Sequence, residues 1–301
     1  MSASPLGRFA TGGATAGTVE RERFASTMNT RALTRAAAAG HAFIGVVRRD
    51  LGIYLSYRVR LVSQLMTALF SLTLFYYVSR LVHVSGFRSP ASYFGFVVVG
   101  ISMVSVMYSC FSIPELVRQE LIAGTFDRLL LSPFGAVRGV LAMSLFPLLY
   151  AFVLAALTLA LGCLLFGLEL HWATVPWSLP VMALALCAFV PFGLLLAALT
   201  VVIKQGNVGT SWLIALLSII GGLYFPVTLL PNWLQSAAHL QPFTAATNLL
   251  RHLLLDSPLG ESTAVALGKL ALFAVVLVPL SIYVLATAIR FGQRRGTIIE
   301  Y

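Results

Sequence analysis

The sequence predicts an all-α membrane protein with six transmembrane helices, an N-terminal amphipathic interfacial helix, and outer re-entrant helices before the last span. Two observations lead to this prediction. Only 10% of the 301 residues are charged, whereas a soluble domain has about 25%, and the mean hydropathy is +0.91. The apolar residues also gather into runs of about 20, which is the length needed to cross roughly 30 Å of hydrocarbon.

The N-terminal part of the chain is polar and basic. Residues 1–34 are rich in Ser, Thr, Gly, Ala and Arg and are predicted to form a disordered cytoplasmic tail. Residues 35–60 place apolar side chains on one helical face at 3.6-residue spacing, with Arg48 and Arg49 on the other face. A basic amphipathic helix next to a spanning helix is typical of an interfacial helix on an anionic leaflet.

Residues 61–290 are predicted to form the transmembrane domain. The six apolar runs within it contain no charged residue, and prolines inside such runs are tolerated when neighbouring helices satisfy the freed carbonyl groups. The predicted spans are Leu61–Ser79, Tyr93–Ile113, Val140–Phe166, Leu179–Ile203, Ser211–Leu230 and Leu270–Ile289.

The distribution of basic residues predicts the orientation. Most of the 20 Lys and Arg residues fall before the first span, between the second and third spans, or after the last one. Under the positive-inside rule both termini, including the tail at 291–301, and the segment between the second and third spans lie in the cytoplasm. On the outer side, residues 231–264 are apolar but interrupted by Pro231, Pro242 and Pro258, which favours short re-entrant or interfacial helices.

Residues 114–138 form a charged segment between the second and third spans. Pro114 suits the first turn of a helix, and Glu115 would lie at its positive end. Gly124 is a predicted break, followed by a second short helix from Phe126 to Leu131. The segment is expected to lie on the membrane surface with a charged side toward solvent. An ordinary charged inner loop is the competing interpretation.

Several kinds of chemistry have no sequence support. The five His residues are scattered and the Cys residues lie in apolar runs, so no metal site is expected. The chain lacks the Gly-rich phosphate loop of nucleotide-binding proteins, and its basic residues form no nucleic-acid patch. The remaining enzymatic alternative is a polytopic lipid-modifying enzyme, whose candidate groups would be Asn248, Arg251, His252 and Asp256.

Two motifs carry a resemblance. The pattern Glu115-x-x-Arg118-x-Glu120-x-x-x-Gly124-Thr125, followed by a Leu pair and Ser-Pro, resembles the cytoplasmic loop of ABC-2 type transporter permeases. The segment from Phe225 through Leu250-Arg251 is similar to the outer segment of that family before its last span. The resemblance extends from about His41 to Arg290 and is greatest to single-domain bacterial exporters of drugs, polyketides or Nod factors.

The resemblance implies a transport subunit that is not itself an enzyme. Two six-helix permease subunits, as a homodimer, would be energised by two copies of a cytoplasmic ABC ATPase, and this partner would bind the ATP and Mg. The present chain would hold no cofactor and would be a multi-pass protein of the inner (plasma) membrane of a bacterial cell. The residues implied in coupling to the ATPase are Arg48, Arg49, Glu115, Arg118, Glu120, Gly124, Thr125, Arg128 and Pro133.

The expected cargo is an amphipathic small molecule such as an antibiotic or polyketide-like drug, so that efflux would give antibiotic resistance. Walls of apolar side chains suit such a molecule through many dispersion contacts. A lipid-linked glycan or glycolipid is the alternative cargo. Helix packing is the favoured role of the ring residues among the candidates for the substrate path, which are Phe70, Phe75, Phe111, Tyr224, Phe225 and Asn248.

Overall fold

The structure is a computed structural model that describes residues 52, 58–81, 87, 89–126, 130, 135–203 and 210–294. The predicted tail at 1–34, nearly all of the predicted interfacial helix at 35–60, and residues 295–301 lie outside the described residues. Those predictions therefore stay predictions.

The described part of the chain folds into α-helices, with one 3-10 turn at Val227–Leu229 and no β-strand. The helices are α1 (Arg58–Leu81), α2 (Pro90–Phe111), α3 (Ile113–Ile122), α4 (Ala136–Phe166), α5 (Val175–Ile203), α6 (Thr210–Ile220), α7 (Asn232–Leu240), α8 (Pro242–Leu255) and α9 (Thr263–Arg294).

Five helical stretches in the described residues are long and apolar enough to cross a membrane. They are α1, the nearly continuous pair α2 and α3, then α4, α5 and α9. Each corresponds to one predicted span, so the prediction of an all-helical chain with several membrane-spanning segments is confirmed. Some of these helices begin a few residues before the predicted spans. Helix α2, for example, begins at Pro90 because Ser89 caps it and accepts a hydrogen bond from the Ser92 N–H.

The fifth predicted span, Ser211–Leu230, differs from the structure. Helix α6 ends at Ile220, and its described part, Thr210–Ile220, has 11 residues, fewer than a helix needs to cross the bilayer. Gly222 has a φ of 64°, and its N–H donates to the Ile219 carbonyl while the Leu223 N–H donates to the Ser218 carbonyl. This pair of bonds is the Schellman arrangement that ends helices at a left-handed glycine. The described part of the chain thus has five long helices, and the count of six stays a prediction.

Helix α5 lies at the centre of the bundle. It packs along α9, α8, α3 and α2, and α2 also packs along α4. Small residues on α5 allow close approach: a Cβ added at Gly193 would lie 2.0 Å from the Cys110 carbonyl oxygen of α2. These crossings therefore bring backbones together and leave little room for larger side chains.

The bundle has two distinct ends. At one end α3 packs with the start of α4 and the last turns of α5 and α9, through buried residues including Val140, Val201 and Leu285. We call this the α3 end. At the opposite end the turn between α4 and α5 meets α8, where the His171 N–H donates to the Leu254 carbonyl at 2.9 Å.

Helix α8 runs from the interior toward that opposite end. Near its start, Phe243 packs against Phe189 and Phe192 of α5, at ring-centroid distances of 4.3 and 5.5 Å. Near its last turn, Leu254 meets the α4–α5 turn. Residues 231–264 thus form two short helices rather than one long one, while their re-entrant character stays a prediction.

Candidate functional site

Helix α3 is amphipathic and packs by its apolar face. Val117 and Leu121 are buried in a cluster with Leu194 and Val201 of α5. Pro114 occupies the first turn and Glu115 lies within it, as the sequence predicts, because the missing proline N–H is not needed there and a carboxylate is favoured at the positive end of a helix. The packed face fixes α3 to the bundle and turns the other face outward.

The outward face carries an ion pair. The Arg118 guanidinium donates to both Glu115 carboxylate oxygens, with Nε–Oε2 and Nη2–Oε1 distances of 2.7 and 2.6 Å. Gln119 also donates to Glu115 Oε1 at 3.2 Å. The side chains of Arg118 and Glu115 remain 33% and 26% exposed. A pair this exposed contributes only about 0–1 kcal/mol to stability, so it does little to hold the fold together.

The bend after α3 explains the Gly-Thr pair of the motif. Gly124 has a φ of 65°, a conformation that residues with a Cβ rarely adopt. The Thr125 N–H then donates to the Glu120 carbonyl at 3.1 Å, and the Thr125 hydroxyl donates to the Glu120 carboxylate. Phe126 follows and is buried. The bend is therefore anchored to the core on both sides.

Five predicted coupling residues lie together in α3 and this bend: Glu115, Arg118, Glu120, Gly124 and Thr125. The other four, Arg48, Arg49, Arg128 and Pro133, lie outside the described residues. Of the predicted second helix, Phe126–Leu131, only Phe126 and Leu130 are described. The described part of the charged segment thus comprises the short surface helix α3 with its capping bend, and the first residues of α4 after Gly135.

The candidate substrate-path residues are spread over different surroundings. Phe70 on α1 is 73% exposed, while Phe111 is 2% exposed in the core. Phe75 stacks on Tyr224 with ring centroids 5.8 Å apart, and Phe225 is half-buried. The Asn248 amide oxygen accepts a hydrogen bond from Arg251 at 3.3 Å. The structure does not bring these six residues to one cavity.

Arg251 on α8 is a buried cation whose role the sequence did not indicate. It is 2% exposed, and its Nε donates to the Phe96 carbonyl of α2 at 3.1 Å. Nη1 and Nη2 donate to the Gly222 and Leu223 carbonyls at 3.0 and 2.8 Å, and the guanidinium carbon lies 3.3 Å from the centre of the Phe96 ring. The cation thus caps the C-terminal end of the broken helix α6, where a positive charge is favoured.

Gly100 on α2 completes this arrangement. A Cβ at Gly100 would lie 1.7 Å from the Leu223 carbonyl oxygen and 3.0 Å from Arg251 Nη2. The absence of a side chain at Gly100 therefore makes room for the carbonyl that Arg251 binds. We call the set of Gly100, Gly222, Leu223 and Arg251, with the Phe96 carbonyl, the arginine cap.

The four candidate catalytic residues of the enzymatic alternative do not converge. Arg251 is committed to main-chain carbonyls, and His252 Nδ1 contacts the Ser257 carbonyl at 2.9 Å. Asp256 is exposed at the end of α8 with a φ of 51°, and Asn248 contacts Arg251. A transferase would need these polar groups to share one cleft.

Comparison with known proteins finds a matching protein family and a similar protein. The family described as ABC-2 type transporter matches residues 45–255, which is more than two thirds of the chain. Nodulation protein J of Sinorhizobium fredii (strain NBRC 101917 / NGR234) is 31% identical over 105 residues, covering 35% of this chain. That match spans 40% of the relative, less than half of its length.

Proposed function

Since this chain belongs to the ABC-2 type transporter family, we propose that it is the transmembrane permease subunit of an ATP-driven bacterial exporter. A separate ATPase subunit would bind and hydrolyse the ATP. The permease would convert the motion of that partner into opening and closing of a path through the membrane.

The proposal rests on one observation, which is that α3 has one face packed on the bundle and one charged face that is partly exposed. Its apolar face is fixed on α5, whereas its charged face carries an exposed ion pair that adds little stability. Only Ser112 separates α3 from α2, so a force on the charged face reaches a long helix of the bundle directly. A rigid, anchored element of this kind transmits displacement.

The proposed arrangement in the membrane follows from charge and chain length. Both termini and the α3 end face the cytoplasm, and residues 210–230 cross the membrane in two pieces as a sixth, broken span. The helices α7 and α8 form a re-entrant pair on the outer side. Two copies of the chain form a homodimer in the cell membrane, and each copy receives one ATPase subunit.

The proposed cargo is an amphipathic small molecule, with a lipid-linked glycan or glycolipid as the alternative. Exposed apolar faces on α1 and α9, including Phe70 and Val275, suit a molecule that enters from the bilayer and makes many dispersion contacts. Efflux assays with the two cargo classes separate them, because a drug exporter lowers drug accumulation and a glycolipid exporter raises surface glycan.

Charge reversal on α3 tests the coupling proposal. We expect Arg118→Glu combined with Glu120→Lys to lower cargo-stimulated ATP hydrolysis about tenfold, since coupling between sites in proteins typically amounts to 1–3 kcal/mol. The assay uses the permease reconstituted in liposomes with the ATPase that co-purifies with it. Yield should stay near the parental level and stability should fall by only about 1 kcal/mol, because the Arg118 side chain is partly exposed and the Glu120 carboxylate takes part in one hydrogen bond, from the Thr125 hydroxyl.

A matched control is available at the opposite end. Glu261 and Lys269 form another ion pair, with side chains 29% and 34% exposed, which is close to the exposure of the α3 pair. Glu261→Gln with Lys269→Gln should leave ATP hydrolysis and transport at parental levels. Parental hydrolysis and export in the α3 double variant, or failure of any ATPase to co-purify, would contradict the proposal.

A further inference from the structure

A cavity of about 820 Å³ opens at the end of the bundle opposite to α3. Its walls come from the last turn of α1, the first turns of α2, the end of α4 with the loop that follows, and the end of α8. The volume is within the range of ligand sites, which is about 300–1,000 Å³. We call it the outer cavity.

The outer cavity has an aromatic side. Tyr76, Phe94 and Phe166 all line it and pack on one another with ring centroids 5.0 to 5.6 Å apart. A tyrosine such as Tyr76 is typical of the depth where the head groups of a bilayer meet the hydrocarbon. The exposed apolar residues Leu74 and Tyr77 on the same turns of α1 offer a surface for acyl chains beside the cavity.

The outer cavity also has two opposite charges. Arg80 and Glu169 both line it, and both are exposed. Within the described residues no ion pair involves either side chain. Ser79, Ser92 and Ser257 line the same wall. A ligand that contacts both side chains carries an anionic group and a cationic group.

The first turn of α2 adds to the positive side of the cavity. Ser89 and Pro90 line the wall at the start of this 22-residue helix, where the helix dipole favours an anion. Together with Arg80 this places the anionic group of the ligand between α1 and α2, and the cationic group beside Glu169.

The contacts that Tyr76 already makes indicate which kind of cationic group the ligand carries. The Arg80 guanidinium already lies over the Tyr76 ring, with Cζ 4.7 Å from the ring centre, and donates to the Tyr76 hydroxyl. Phe94 and Phe166 pack against the same tyrosine ring. An aromatic cage for a quaternary ammonium group needs free ring faces. A primary ammonium group that donates hydrogen bonds to the Glu169 carboxylate fits this wall better.

From these contacts we propose that the outer cavity binds the head group of a phospholipid with a phosphate and a primary amine, such as phosphatidylethanolamine. The phosphate lies at Arg80 and the first turn of α2, and the ammonium group lies at Glu169. The acyl chains run along the exposed face of α1. This binding does not depend on transport or on an ATPase partner.

Lipid competition in nanodiscs tests the proposal. The full chain is placed in nanodiscs with equal amounts of phosphatidylethanolamine, phosphatidylcholine and phosphatidylglycerol, and retained lipids are counted by native mass spectrometry. We expect phosphatidylethanolamine to be retained about threefold over either competitor, since an ion pair with an exposed side chain contributes only about 0–1 kcal/mol.

Two variants separate the two halves of the site. Glu169→Gln should abolish the preference for phosphatidylethanolamine over phosphatidylcholine, and Arg80→Gln should lower the retention of all three lipids about threefold. Asp256→Asn is the control, since Asp256 is an exposed carboxylate next to two lining residues but not in the wall.

All three variants should melt like the parent, because the side chains are exposed. An unchanged lipid preference in Glu169→Gln, equal retention of the three lipids by the parent, or preferred retention of phosphatidylglycerol would overturn the proposal.

Discussion

Replacing Arg251 by methionine is expected to lower the melting temperature of the protein by roughly 10 °C and to remove transport. The carbonyl groups of Gly222 and Leu223 would lose the donors that they have in the arginine cap. Each buried carbonyl left without a partner costs about 1–3 kcal/mol, and about 4 kcal/mol in total is a reasonable expectation.

The Arg251→Met variant no longer buries a charge, but this gain in free energy does not offset the lost hydrogen bonds. Replacing a whole buried ion pair by apolar side chains can be neutral, because both partners disappear together. Here the acceptors are main-chain carbonyls of Phe96, Gly222 and Leu223, which no side-chain substitution removes. Methionine would therefore fill space without supplying a donor.

The Arg251→Lys variant distinguishes the contribution of the positive charge to stability from that of the planar guanidinium group. Lysine keeps the charge but not the planar group that reaches three carbonyls at once, so we expect an intermediate melting temperature. Arg290→Met is the control for losing a cation, because Arg290 is exposed on α9 and should change stability by at most about 0.5 kcal/mol. A methionine variant as stable as the parent would show that the arginine cap does not hold the broken helix.

The second large effect is expected at Gly100. Alanine favours a helix over glycine by about 1 kcal/mol, yet we expect Gly100→Ala to destabilise the protein by about 2 kcal/mol. The new Cβ would lie 1.7 Å from the Leu223 carbonyl oxygen, and a backbone atom cannot move aside as a flexible side chain does. Gly193→Ala should behave similarly, because its Cβ would lie 2.0 Å from the Cys110 carbonyl oxygen.

The stability of the Gly100→Ala variant can be measured through Cys110, which lies on the same helix, α2. Cys110 is buried, so its labelling by a thiol-reactive dye on heating reports opening of the core once Cys163 and Cys187 are replaced by serine. Gly268→Ala is the control, since nothing lies within 4 Å of its Cβ, and it should melt at or slightly above the parental temperature. Equal labelling curves for Gly100→Ala and Gly268→Ala would show that the close approach is not required.

A double variant tests whether Gly100 and Arg251 act on the same group. Both contact the Leu223 carbonyl, so the destabilisation by Gly100→Ala with Arg251→Met should be smaller than the sum of the two single effects. Residues that share a partner typically deviate from additivity by about 0.5–3 kcal/mol. Strict additivity would mean that the two residues act at separate places.

The long helices and α3 could be predicted because their signals are local. Five apolar runs correspond to α1, α2, α4, α5 and α9, and hydrocarbon thickness sets their length. In α3 the signals are Pro114 in the first turn, Glu115 beside it, and Gly124 at the break. Each depends on neighbours within a few residues, so the sequence contains the information needed.

The end of α6 could have been predicted from its glycine pair but was not. The apolar run continues through Gly221 and Gly222 to Leu230, and hydropathy alone predicted a full span. The left-handed conformation of Gly222 ends the helix. Glycine just after an apolar period is a helix stop signal, and here it outweighs the hydropathy of the residues that follow.

The role of Arg251 has no local signal. The three main-chain carbonyls that it binds lie 28, 29 and 155 residues away along the chain, so only the packed structure reveals them. The same holds for the aromatic path candidates. Phe70 faces outward and Phe111 inward, and that difference depends on which neighbour each helix packs against rather than on the residue type.

The arginine cap also has a consequence for how the chain is made. Phe96 is synthesised early, whereas Gly222, Leu223 and Arg251 leave the ribosome later. Until Arg251 emerges, the broken end of α6 has two carbonyls without their donor, and Arg251 itself enters a bilayer at high cost if these acceptors are not in place. The late segment must therefore assemble against the inserted α2 as one unit, so a nascent chain that stops before residue 251 presents an incomplete membrane segment to the cell's proteases.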